Sequence, residues 1–83
     1  MSDLARNPKQ VGSLVRRARK QCGLSQAQLG EKAGLRQATI SQVETGNPSA
    51  TLETILAVLS VLDLELRIVP RTKGAAADIE DIF

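Results

Sequence analysis

The chain has 83 residues, 42% apolar, 24% charged and 1% aromatic, which describes one small globular domain too short for two independent cores. It holds no His and a single Cys, so disulfides, CxxC metal clusters and imidazole bases are excluded, and no catalytic spacing surrounds the remaining candidates; no cofactor, metal or enzymatic turnover is expected. No apolar run approaches the roughly 20 residues that cross a bilayer, and Met1-Ser2-Asp3-Leu4-Ala5-Arg6 lacks the apolar segment of a secretory signal, so the expectation is a cytoplasmic protein without a membrane partner.

Charge is unevenly placed. Residues 1–47 carry eight Lys/Arg against three Asp/Glu, whereas residues 74–83 carry three acids and no base. A positive first half attracts phosphates and steers approach to nucleic acid, although basicity alone specifies neither DNA nor a sequence.

Residues 1–6 show no periodicity and are expected to be a flexible lead-in. Asn7-Pro8-Lys9-Gln10 matches a helix start, with an Asn cap, Pro at the first helical position and Gln three after the cap. Val11, Leu14, Val15, Ala18 and Cys22 then follow at helical spacing, which makes Cys22 a small core residue, until Gly23 stops the helix. A second helix restarts at once: Ser25 can cap it while Gln28 reaches back, Leu24 can staple against Leu29, and Gly34 can take the left-handed backbone that ends it. Helical spacing returns over 37–44 through Ile40 and Val43, before Thr45-Gly46-Asn47-Pro48 break it. Arg36 is a poor cap residue, so this start has no local explanation. Leu29, Leu35, Ile40 and Val43 are expected in the core. Thr51 caps a fourth helix, whose Leu52, Ile55, Leu56, Leu59 and Leu62 form the broadest apolar stripe and the expected spine of the core.

After Asp63 the period falls from 3.6 to 2, with Leu64, Leu66 and Ile68 on one face and Glu65 and Arg67 on the other, ending at Pro70. A lone strand cannot satisfy its own backbone groups, and no second strand pattern exists. It must borrow a partner, most simply its own copy in a symmetric homodimer joined through Leu64, Leu66 and Ile68. The organisation expected is a flexible terminus at 1–6, one DNA-binding and dimerisation domain at 7–70, and a flexible tail at 71–83. Within that tail, Ile79, Ile82 and Phe83 on an acidic leash could dock a partner, mark a protease-accessible terminus, or serve no purpose.

Two short helices joined by a tight Gly-containing turn, with a longer amphipathic helix before and another after, outline a helix-turn-helix DNA reader. The fold class is therefore all-α: a compact four-helix domain with one C-terminal strand pairing across a dimer. The segments Leu24-Ser25-Gln26-Ala27-Gln28-Leu29-Gly30-Glu31-Lys32-Ala33-Gly34 and Gln37-Ala38-Thr39-Ile40-Ser41-Gln42-Val43-Glu44-Thr45-Gly46 strongly resemble the phage-repressor and Cro-like family over about residues 10–62.

That resemblance makes the third helix the recognition helix of the major groove. Its base-reading candidates are Arg36, Gln37, Ala38 and Ser41, with Gln42 second: Arg can fork onto guanine, Gln onto adenine, and an Ala methyl can pack on the thymine methyl. Thr39 and Gln26 are phosphate candidates, Gln26 helped by the exposed N–H groups at its helix start. Asn47 belongs to a turn and could also touch a phosphate. The resemblance implies an ion pair between Arg19 and Glu44 across the first and third helices, of structural character. Arg16, Arg17 and Lys20 fit either a solvated helix face or direct DNA contacts. Two copies about a twofold axis would set recognition helices about 34 Å apart, in successive major grooves of a palindromic double-stranded DNA operator.

Cro-like repressors usually continue with a fifth helix, whereas this chain passes directly into Leu64-Glu65-Leu66-Arg67-Ile68-Val69. Together with Gln37-Ala38-Thr39-Ile40-Ser41 and the Asn7-Pro8 start, this resembles the HipB-type antitoxins, which dimerise through a C-terminal strand from each subunit. The resemblance reaches about residue 70. It implies a bacterial, nucleoid-associated repressor of its own operon that also docks a HipA-type Ser/Thr kinase toxin, with catalysis belonging to the partner. A free-standing Cro-like repressor and a protein-interaction module on a degenerate DNA-binding fold are the alternatives left open.

Overall fold

In the computed structural model, which describes residues 4–71, four helices follow one another: α1 (Pro8–Gln21), α2 (Gln26–Ala33), α3 (Gln37–Thr45) and α4 (Leu52–Val61). Three of the four starts are held by side-chain chemistry. Asn7 Oδ1 accepts from the Gln10 N–H at 2.8 Å, and Thr51 Oγ1 accepts from the Thr54 N–H at 3.2 Å. Ser25 and Gln28 form a closed capping box, with Oγ accepting from the Gln28 N–H at 3.0 Å and Gln28 Oε1 accepting from the Ser25 N–H at 2.8 Å. Each such cap is worth about 1 kcal/mol. Arg36 heads α3 in extended backbone with no side-chain cap, so that short helix depends on tertiary packing.

Val15, Leu29, Ile40, Val43, Val58 and Leu62 make the buried core, with Val11, Ala18, Leu24, Leu35, Ala50, Leu59 and Val61 packed around it. Leu29, Ile40 and Val43 of the two short helices are therefore inside as expected, and Leu35, in the link between them, only in part. α3 packs against both α1 and α2, and α2 also packs against α4. Gly34 and Gly46 end α2 and α3 at φ 71° and 80°, and after Gly46 the Asn47 N–H closes the turn on Gln42 O at 2.9 Å.

Two expectations need correction. The leucine stripe of α4 is the spine only in part: Leu62 is buried and Leu59 packs against the core, but the fully buried residue of the helix is Val58, and Leu52 and Leu56 are 59% and 44% exposed. Among the ten residues of α4 only Glu53, Thr54 and Ser60 are polar, so apolar spacing alone does not say which side faces inward; packing against α2 decides it. Cys22 is exposed, because it serves as the C-cap of α1, beyond the last turn that contributes to the core. Residues 64–71 form no strand among the described residues, since a single chain offers that segment nothing to pair with, and Leu64, Leu66 and Ile68 stand exposed. The tail expected at 71–83 lies, but for Arg71, outside the described residues, as do residues 1–3.

α1 and α3 cross at a glycine. A Cβ on Gly12 would fall inside contact distance of the Val43 and Glu44 carbonyl oxygens, which belong to the backbone of α3 and have no freedom to withdraw. Gly12→Ala is therefore expected to destabilise the domain by about 2 kcal/mol, the clash exceeding the gain in helix propensity. Urea denaturation checks this; an unchanged midpoint would refute so close a crossing.

Candidate nucleic-acid interface

The inner side of α3 is consumed by the core through Ile40 and Val43, which obliges the opposite side to face outward. Ala38, Ser41, Gln42 and Thr45 share that outward side at spacings of three, four and seven. Arg36, Gln37, Ala38 and Gln42 are exposed, while Thr39 and Ser41 are half-buried. The five base-reading candidates thus lie along one end and one face of a single helix, offering a guanidinium, two amides, a methyl and a hydroxyl. Thr45 falls four after Ser41 on the same stripe. Its hydroxyl is turned inward on the helix, donating to Ser41 O at 2.9 Å and Gln42 O at 3.2 Å.

Beneath that face lies one buried polar cluster. Arg19 donates from Nε to Glu44 Oε2 at 2.6 Å and from Nη2 to Oε1 at 3.2 Å, so α1 grips α3 through a bidentate pair. Its Nη1 donates to the Leu24 carbonyl oxygen at 2.8 Å, tying in the α1–α2 turn. Gln26, the first residue of α2, donates from Nε2 to Glu44 Oε1 at 3.2 Å. With its side chain only 3% exposed, Glu44 is an ion that only this set of donors makes tolerable inside the protein. Gln26 is thus brought to the flank of α3, half-buried, a link that no spacing in the sequence signalled.

Asn47 sits half-buried in the turn after α3, where its Oδ1 accepts from the Ser49 N–H at 2.9 Å and from Ser49 Oγ at 2.8 Å. Its acceptor is occupied, so what it can offer a ligand is its amide N–H groups, the end suited to an anion. Arg16, Arg17 and Lys20 are exposed on α1.

A longer helix followed by two short ones at a tight turn, the second carrying an outward polar face over a fixed interior, defines a helix-turn-helix DNA-binding regulator. The Helix-turn-helix family model matches residues 15–69, and the chain belongs to that family, within which it is HipB-like. It is 35% identical over 60 residues to Antitoxin HipB of Escherichia coli (strain K12), a match covering 72% of this chain and 68% of that protein. Among solved structures it is similar to a HipB-O4 20mer complex, with a TM-score of 0.79 and 30% identity over 86% of this chain and 100% of the other. A HipA-HipB-O2-O3 complex matches with a TM-score of 0.78 and 30% identity, again over 86% of this chain and 100% of the other. No helix among the described residues is long and apolar enough to cross a membrane.

Removing one member of a buried pair leaves the other charge uncompensated, at a cost of about 3–5 kcal/mol. Glu44→Ala should lose stability on that scale in chemical denaturation, and a loss below about 1 kcal/mol would place the pair in the class of weak surface bridges.

Proposed function

We propose that this protein is the antitoxin and autorepressor of a type II toxin–antitoxin pair: a cytoplasmic, nucleoid-associated homodimer that binds a palindromic operator in double-stranded DNA and docks a HipA-type Ser/Thr kinase toxin. The observation that carries the DNA-binding part is the outward face of α3, where Arg36, Gln37, Ala38 and Gln42 are exposed while the opposite side is locked in the core. Arg36, Gln37, Ala38, Ser41 and Gln42 read base edges; Gln26, Thr39 and Asn47 hold phosphates and set the register. Gln26 is well suited to this, since the capping box engages the Ser25 and Gln28 N–H groups and leaves those of Gln26 and Ala27 at the positive end of α2.

Dimerisation is supported by what the single chain leaves uncovered. Leu66, Ile68 and Val69 are 53%, 95% and 62% exposed, on backbone that belongs to no helix and no ladder. Apolar surface and unpaired backbone of this kind call for a partner strand, and a second copy supplies one about a twofold axis. The partnership with a kinase toxin rests on the similarity to HipB, which is found together with HipA in the HipA-HipB-O2-O3 complex.

Co-expression with a HipA-type kinase from a neighbouring reading frame should give a complex that survives gel filtration; failure of the two to associate overturns the antitoxin part. Gln37→Ala should reduce discrimination at one base pair by about 1–3 kcal/mol, whereas Gln26→Ala should weaken binding to all sequences alike, both measured by titration against a panel of point-substituted duplexes. Ile68→Asp should turn a dimer into a monomer and lower operator affinity, and sedimentation of an intact dimer would refute the strand-pairing assignment.

A further inference from the structure

We infer that Glu44 is a positioning residue for DNA binding: from inside the protein it holds the Gln26 side chain in the orientation that presents an N–H to a phosphate. The inference rests on the DNA-binding reading above and concerns how that grip is prepared.

The geometry is a closed circuit. The Leu24 carbonyl accepts from Arg19, Arg19 forks onto Glu44, and Glu44 accepts from Gln26, two residues along the chain from Leu24. A carboxylate has acceptors and no hydrogen to offer, so the Gln26 group facing it at 3.2 Å is Nε2 and not Oε1. That settles which way the amide is turned. One of its two N–H bonds is used on Glu44, and the second remains for an anion outside. Without this tether a glutamine at an exposed helix start samples many rotamers and both amide orientations, and half of those orientations aim an oxygen at the phosphate.

The charge of Glu44 would by itself oppose this purpose, since a carboxylate beneath a phosphate site repels the phosphate. The bidentate Arg19 removes the objection: with two donors on its two oxygens, the pair is neutral as a unit while Oε1 still accepts from Gln26. A glutamine at position 44 could not substitute fully. Its amide can turn its own N–H groups toward Gln26 and reverse the orientation.

The test is a double-mutant cycle on affinity for a mixed-sequence DNA duplex at low salt, with melting curves to keep every measurement on folded protein. Gln26→Met should weaken binding about tenfold, and Glu44→Gln about threefold to tenfold, the cost of freeing one long side chain. In the Gln26→Met background, Glu44→Gln should have no further effect on affinity. If Glu44→Gln weakens binding equally in both backgrounds, or leaves it unchanged in folded protein, its role is structural alone and the inference falls. If the parent protein binds no duplex at any salt concentration, the DNA-binding reading itself falls, a separate outcome. A second measurement needs no variant: the Gln26 side-chain amide of the free protein should show an NMR order parameter near the about 0.85 of rigid backbone, and a mobile side-chain amide overturns the positioning role.

Discussion

The domain is organised around one guanidinium. Arg19 touches α3 through both oxygens of Glu44 and touches the α1–α2 turn through the Leu24 carbonyl, so a single side chain fixes the relation of three helices. A core built, among the described residues, from small numbers of Val, Leu and Ile side chains leaves several ways to slide short helices past one another. A bidentate contact tolerates little sliding, because both hydrogen bonds demand the same plane. The bare approach of α1 to α3 at Gly12 serves the same end, since the crossing could not be as close with any larger residue. The position of α3 is therefore set from below by polar geometry and from the side by backbone contact, while Arg36, Gln37, Ala38 and Gln42 stay exposed.

Much of this was legible beforehand where the chemistry is local. Asn7, Ser25 and Thr51 announce helix starts because each satisfies an N–H group within three residues, and Gly34 and Gly46 announce ends because glycine takes the left-handed backbone easily. The outward face of α3 followed from Ile40 and Val43. Where local chemistry is silent, so was the sequence. α4 is apolar on most sides, and only its seat against α2 selects Val58 for the interior over Leu52 and Leu56. The Gln26 contact depends on where a residue eighteen positions later comes to lie, which no periodicity encodes. Gly12 did carry a signal, a glycine inside an otherwise regular amphipathic helix, seven before Arg19 on the same side.

The segment after α4 shows the opposite case, in which the sequence pattern asks for something a single chain cannot form. Alternation at Leu64, Leu66 and Ile68 fits a pleated strand, yet the isolated chain leaves these side chains outside and their backbone without a ladder. The domain is complete in its helical part and unfinished at its edge. The apolar surface at Leu64, Leu66, Ile68 and Val69 stays in contact with water in the single chain, which is the feature the proposed dimer would remove.

The missing cap on α3 has an evolutionary consequence. In the other three helices the residue before the first turn is committed to stability, so changing it weakens the fold. Arg36 carries no such duty, and with Gln37, Ala38 and Gln42 it lies at the surface, where exchange of side chains typically changes stability by less than about 0.5 kcal/mol. The tip of this helix is free to drift, so under the proposed DNA-binding role a lineage could acquire a new target sequence by a few substitutions there without first securing the scaffold that bears them.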